Sequence, residues 1–263
     1  MKRHGSKLVL WVVVLVWLIG GAVGLAAEKE EKPQFVAVVT EDVKPEAMET
    51  YLKTRGAMNQ LCRQYDWEIP NLTFVQDFRV TTCYVFHAFG QLDGLPQKFE
   101  ALNKKTGGEA MTLDKRRGNC VNENSTALVV RRPDLSYAPE NPAFVPSFDE
   151  PYYTFRVIYH IKPGKFTQAE EVAKRIKALS EKSQSPMGYS MYEQIFGPDS
   201  CCLTAVMSAK DKAAFVAQDQ QGQANPDPEI EKIFTENAHL LKKIETEEGT
   251  FVPEASYIKE GSF

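Results

Sequence analysis

Catalytic signatures are what this sequence lacks. It has no Gly-x-Ser-x-Gly, no phosphate-binding Gly-x-x-x-x-Gly-Lys, no Gly-x-Gly-x-x-Gly and no His-Glu-x-x-His. The nucleophile-elbow, P-loop, dinucleotide and zinc-peptidase chemistries that need those spacings are therefore unsupported. Histidine is scarce, at 4 residues in 263, and no Cys-x-x-Cys or Cys/His pair stands at metal-ligand spacing. No zinc or other metal site and no cofactor is expected on that ground. A long basic run is also missing. Apart from the amino-terminal stretch, so is any apolar run long enough to cross a bilayer.

That stretch has the parts of an export signal. Lys2, Arg3 and Lys7 supply positive charge with no acid before Glu28, an apolar run starts at Leu8, and Gly24, Ala26 and Ala27 are small residues suited to cleavage. Residues 1–27 are predicted to be a signal peptide, with an uncleaved membrane anchor as the alternative reading of the same apolar run, and 28–34 a charged linker. The rest is expected outside the cytoplasm, periplasmic or secreted, with no membrane span after cleavage. Trp11 and Trp17, two of the three tryptophans, leave with the signal. Of 31 basic residues, 28 remain against 35 acidic ones, a net charge of −7. That balance makes a poor nucleic-acid binder.

Export permits disulfides, and five cysteines follow: Cys62, Cys83, Cys120, Cys201 and Cys202. Cys62 with Cys120 is the first pair to test, since both are expected after helices. Cys201 and Cys202 are neighbours in a strand-like run and read as small apolar residues pointing to opposite faces.

The chain contains an internal echo. Pro133-Asp134-Leu135-Ser136-Tyr137 recurs as Pro253-Glu254-Ala255-Ser256-Tyr257, and Lys44-Pro45 recurs as Lys162-Pro163. Two anchors with nearly equal offsets predict two copies, residues 35–137 and 152–257, with a tail at 258–263. The proline-rich linker 138–151 between them is expected to be extended.

Each copy opens on a β-branched and aromatic run, Phe35–Val39 or Tyr153–Ile161. A helix follows with Pro45 or Pro163 in its first turn. In the first helix Met48, Tyr51, Leu52, Leu61, Cys62 and Tyr65 form a ragged apolar stripe; in the second, Phe166, Ala169, Val172, Ala173, Ile176 and Leu179 form a clean one. Two strands come next, Thr73–Arg79 with Thr82–Phe89, and Ser190–Phe196 with Cys201–Met207. Gly197-Pro198-Asp199-Ser200 supplies turn chemistry for the latter pair. A late helix is capped by Asp227, starts at Pro228 and carries Ile230, Ile233, Phe234, Asn237, Leu241 and Ile244. Short last strands are expected at Ala127–Val130 and Thr250–Val252.

The order β-α-β-β-α-β, twice, is that of a ferredoxin-like unit. The run Thr82–Phe89 is apolar on both faces, so its second face is also expected to be covered. On these features the chain resembles the dimeric α/β-barrel superfamily, which includes antibiotic-biosynthesis-monooxygenase-like domains. The resemblance implies an α+β fold in which two tandem ferredoxin-like units pack sheet to sheet as a pseudo-dimeric α/β barrel. Members include cofactor-free oxygenases, haem-handling enzymes and proteins without known activity, so the likeness speaks to fold more than to function.

Five residues are candidates for ligand binding. His87 lies in the two-faced strand. His160 ends the first strand of the second copy, in phase with Arg156, which interrupts an apolar run. If that face looks inward, Arg156 and His160 together can hold an anionic group. Tyr84 and Tyr159 would supply an aromatic wall. Each has a plainer alternative, a hydrogen-bonded core histidine or an arginine reaching water at a rim. Tyr137 and Tyr257 recur and read as structural anchors. Lys104-Lys105 and Lys115-Arg116-Arg117 read as a solvated face in a glycine-containing loop, and Asn71-Leu72-Thr73 and Asn124-Ser125-Thr126 are glycosylation sequons. The expectation is a non-enzymatic exported module binding a small, partly apolar molecule or a partner in cavities between sheets and helices. The alternative is a monooxygenase-like or haem-handling enzyme.

Overall fold

The structure is a computed structural model that describes residues 34–198, 201–224 and 228–259. The predicted signal 1–27 and nearly all of the charged linker lie outside the described residues, as do Asp199, Ser200 and Asp227. No helix among the described residues is long and apolar enough to cross a membrane.

Eight strands close into one antiparallel barrel. They are β1 (Phe35–Val43), β2 (Asn71–Gln76), β3 (Arg79–Phe86), β4 (Val121–Arg131), β5 (Tyr153–Ile161), β6 (Ser190–Phe196), β7 (Cys202–Ala209) and β8 (Leu241–Phe251). Around the barrel they run β1-β3-β2-β8-β5-β7-β6-β4. The first four and the last four strands each stay together, and the halves meet along two seams. At one seam Phe74 and Val75 of β2 pair with Phe251 and Thr250 of β8. At the other, Leu128–Arg131 of β4 pairs with β6. Gly197, at φ +125°, is required at this second seam, since a Cβ there would come within 2.8 Å of the Ala127 backbone.

The barrel interior covers the second strand face. Val36 and Val38 of β1, Cys83 and Val85 of β3 and Val129 of β4 pack there with Tyr192 from β6. The outer faces carry helices. In the first half these are α1 (Met48–Gln64), α2 (Leu95–Lys105) and α3 (Glu109–Asn119). In the second they are α4 (Phe166–Ser183), α5 (Lys212–Ala224) and α6 (Pro228–Asn237). Ala169 and Ala173 of α4 pack on Ile161, Leu203 and Ala205, so the predicted α4 stripe faces the sheet. Residues 138–152 form no helix or strand. Their aromatic rings still pack, Phe144 on Tyr152 at 6.0 Å and Phe148 on Phe251 at 6.1 Å.

Several elements differ from expectation for identifiable reasons. The last strands are 11 residues each rather than three or four, and Leu241 and Ile244 belong to β8 rather than to a helix. Lys and Glu dominate β8, so its local preference is weak. Pairing with β5 along its length decides its state. Pro163 precedes α4 in a turn made by Gly164 at φ +74°, whereas Pro45 opens a 3-10 turn that runs into α1. The β2–β3 turn is Asp77-Phe78, with Asp77 at φ +51°, so Arg79 starts the second strand instead of ending the first. Cys201 precedes β7 at φ +81°, and Cys202 alone enters the strand. Gly107 and Gly108 separate two short helices instead of forming a long loop, which places Lys115, Arg116 and Arg117 in α3. No disulfide joins any of the five cysteines; Cys62 lies within α1, and Cys120 packs with Val43 and Tyr51.

The two Pro-acid-x-Ser-Tyr endings have one geometry. Each forms a 3-10 turn, Pro133–Leu135 or Pro253–Ala255, closed by a serine hydroxyl donating back to a carbonyl, Ser136 to Arg132 at 2.7 Å and Ser256 to Val252 at 2.8 Å. The serine oxygens also accept backbone N–H groups from the opposite half, Met191 at 2.8 Å and Thr73 at 2.9 Å. Tyr137 donates its hydroxyl to the Ser185 carbonyl and Tyr257 to the Trp67 carbonyl, both at 2.8 Å. These are the structural anchors expected of the recurring tyrosines.

Candidate functional site

Each half holds a cavity between its sheet and its helices. In the second half it is apolar and about 120 Å³. α4 supplies Ala173 and Ile176, α6 supplies Phe234, and the sheet side supplies Tyr159, Met191 and Leu203. Its polar atoms come from Tyr159, Tyr189, Ser180 and Asn237. Burial raises both tyrosine hydroxyls well above the ordinary phenol range, so they stay protonated and act as hydrogen-bond donors. No Asp, Glu, His, Lys or Arg lines this cavity among the described residues.

The first-half cavity, about 230 Å³, has a different chemistry. Met58, Trp67, Phe99, Leu102 and Leu113 form an apolar part, while Arg55, Asn59, Asn71 and Tyr84 form a polar one. Arg117 and Asp114 of α3 also border it. Arg117 is bonded to Asp114 at 3.0 Å and to the buried Glu41, which also accepts from the Tyr51 hydroxyl. Arg117 is thus part of a partly buried charge network, contrary to the solvated face expected of it. Asn71 is also buried, at 3% exposure, and its side chain bonds to Arg55 and Asn59. That closes it to glycosylation in the folded state, while Asn124 stays exposed.

The five sequence-predicted residues are not brought together. Tyr84 lines the first cavity and Tyr159 the second, so they share no aromatic wall. Arg156 and His160 do lie on one face of β5, the inner one. Arg156 reaches past β8 and β2 to the Thr81 hydroxyl in β3 at 3.2 Å, which only a side chain inside the barrel can do. It is ion-paired with Glu247 at 3.1 Å. His160 Nε2 is 2.6 Å from Glu245 Oε2, and its Nδ1 is 3.2 Å from Cys202 Sγ. The two therefore serve separate carboxylates. His87 lies one residue beyond β3; its backbone N–H donates to the Gln91 side chain at 2.6 Å, and its Nδ1 is buried with no partner.

Cys202, His160 and Glu245 have the connectivity of a thiol nucleophile, its base and the group that orients the base. Access argues against that use. Cys202 is 1% exposed, and none of the three lines either cavity. The chain of contacts instead satisfies a buried imidazole and ties β5, β7 and β8 together.

Haem, which the resemblance associates with some members, needs an axial ligand and a large apolar slot. No histidine lines either cavity. The apolar one, at about 120 Å³, is far too small for a macrocycle of that size. The residues present do not fit that group.

Arg55 and Asn59 escaped the sequence reading. The signal was available: Arg55 stands four residues after Tyr51 and seven before Cys62, on the stripe assigned to the core. The raggedness of that stripe marked polar groups facing the sheet.

No family model matches this chain, and no curated protein sequence matches it. Solved structures do. An anthrone oxidase-like protein superposes with a TM-score of 0.57 at 12% identity, covering 88% of this chain and 93% of that one. A candidate monooxygenase from Lactobacillus acidophilus NCFM gives 0.51 at 12% identity, covering 86% and 96%. A chlorite dismutase variant from Candidatus Nitrospira defluvii gives 0.52 at 8% identity, covering 86% and 93%. At such identities the likeness is one of architecture, and it places this closed α+β barrel among folds of the dimeric α/β-barrel type.

Proposed function

We propose that this protein is an exported, oxygenase-like α/β-barrel enzyme that takes a small, largely apolar molecule into the second-half cavity. The observation that carries the reading is that cavity itself, apolar on nearly every side and bounded by Tyr159 and Tyr189. The solved structures that superpose on the chain include an anthrone oxidase-like protein and a candidate monooxygenase, and they support an enzymatic reading over a purely structural one. The two phenols are donors suited to orient a carbonyl or hydroxyl of the bound molecule. The apolar walls exclude water from it. We further propose that residues 35–137 and 152–257 are two fused ferredoxin-like units. The sheet orders β4-β1-β3-β2 and β6-β7-β5-β8 and the matching Pro-acid-x-Ser-Tyr endings support this.

A second reading, a binding module without turnover, rests on the missing base: no carboxylate or imidazole faces the cavity among the described residues. One experiment separates the two. Mono- and bicyclic phenols are titrated calorimetrically, and dioxygen uptake is then followed with each that binds. The enzyme reading expects substrate-dependent uptake that falls about tenfold in Tyr159→Phe, equivalent to loss of one transition-state hydrogen bond. Binding without uptake favours the module. Absence of binding, with Ala173→Leu indistinguishable from wild type, removes the cavity from both.

A further inference from the structure

The first-half cavity contains a buried guanidinium that makes no ion pair among the described residues. Arg55 is 5% exposed. Its Nη2 donates to Asn71 Oδ1 at 3.1 Å and its Nη1 approaches the Tyr84 hydroxyl at 3.4 Å, while its Nε–H is buried with no partner. The amides around it are committed. Asn71 donates to Asn59 Oδ1 at 3.2 Å, and Asn59 donates to the Ala255 carbonyl at 2.6 Å. Arg55 makes no ion pair among the described residues; Glu41, whose charge favours the guanidinium from a distance, is bonded to Tyr51 and Arg117. A guanidinium stays charged at any pH a folded protein meets, and burying it without an anion is strongly unfavourable. Folds retain such a group where something else supplies the negative charge.

The shape of the cavity says what kind of anion. Arg55, Asn71 and Tyr84 gather at its polar part, and Met58, Trp67, Phe99, Leu102 and Leu113 make the rest apolar. A bare inorganic anion would leave the apolar walls unused, and a neutral hydrocarbon would leave the guanidinium unpaired. We propose that this cavity binds a small monocarboxylate with an aromatic or short aliphatic body, its carboxylate held by Arg55. The planar carboxylate matches guanidinium geometry, and the body takes the place of water against Trp67 and Phe99. The site is separate from the second-half cavity, shares no residue with it and does not depend on the function proposed there.

Trp67 is the only tryptophan beyond residue 17 and lines the cavity, so its emission reports occupancy. Sodium benzoate is titrated into the full chain, followed by calorimetry and by tryptophan fluorescence, with Trp67→Phe as the blank for Trp11 and Trp17 and with benzyl alcohol and inorganic phosphate as comparisons. The expected result is saturable binding of benzoate, at least about tenfold weaker binding of benzyl alcohol, and no displacement of benzoate by phosphate. Arg55→Gln should erase the preference for the acid over the alcohol, and Arg55→Lys should keep part of it. Leu113→Trp fills the apolar part without touching Arg55 and should abolish benzoate binding, which keeps the test sound if the Arg55 variants fail to fold. Equal affinity for acid and alcohol overturns the proposal. So does competition by phosphate as effective as benzoate's own binding, or benzoate affinity unchanged in Arg55→Gln or Leu113→Trp.

Discussion

The Tyr257 hydroxyl donates to the Trp67 carbonyl over 2.8 Å, joining residues 190 positions apart. Its counterpart, Tyr137, does the same to Ser185 in the other half. Each half therefore ends inside the territory of the other. The two hydroxyls hold the loops on which Trp67 and Met187 stand, and through them the rims of the two cavities.

Replacing either tyrosine by phenylalanine leaves a carbonyl without its donor while the ring still packs. The expected cost is about 1–2 kcal/mol each, a fall in melting temperature of roughly 2–8 °C in a chain of this size. Thermal unfolding followed by circular dichroism checks this. Unchanged melting in both single variants would remove the anchoring role.

Glu41 is 2% exposed and is shared by Tyr51 and Arg117. Glu41→Gln removes the charge that Arg117 faces inside the fold, although Asp114 and partial exposure of Arg117 temper the loss. A destabilisation of about 2 kcal/mol is expected from urea unfolding, below the range for fully buried pairs. Arg117→Met, which removes the partner charge, should also destabilise, because Glu41 is then left buried. A neutral outcome for both would mean that the network contributes no stability.

Alkaline pH should weaken the fold through two thiols. Burial pushes Cys62 and Cys83 each up to about 11 from an ordinary value of 9.0. A raised thiol pKa means the folded state favours the neutral form. That stabilisation is complete below pH 9 and is lost as pH rises towards 11. Tyr192, raised by burial to about 12, carries the decline further. The urea midpoint is expected to drop between pH 9 and 11, and the drop should shrink in Cys62→Ala/Cys83→Ala. Equal slopes in wild type and double variant would contradict it.

Thiol counting tests the cysteine assignment. Denatured without reductant, the chain should titrate five thiols with an aromatic disulfide reagent. Three thiols would reveal one disulfide. In the native state Cys202, at 1% exposure, should react far more slowly than the partly exposed Cys201.

Much of the barrel was legible because its signals are local. The β-branched run Phe35–Val39 and the clean stripe from Phe166 to Leu179 state their elements directly, and the echo at Tyr137 and Tyr257 states the repeated ending. β8 was not legible, because Leu241-Lys242-Lys243-Ile244-Glu245 has no strand preference of its own. Its state comes from β5, some 85 residues earlier in the chain. The site was less visible still. Arg156 and His160 share a face, as their spacing required, but Glu247 and Glu245 occupy them, and those partners come from β8. Arg55 was hidden by the opposite error, since a polar residue on a core stripe reads as noise until the sheet opposite it is known.

The reciprocal endings have a mechanical consequence. The strap at 138–151 is the only covalent passage between halves that already grip each other along β2–β8 and β4–β6 and through both tyrosine hydroxyls. A protease that nicks it cuts a tether rather than a hinge: the two fragments remain interlocked, each still supplying the closing residues of the other's loop.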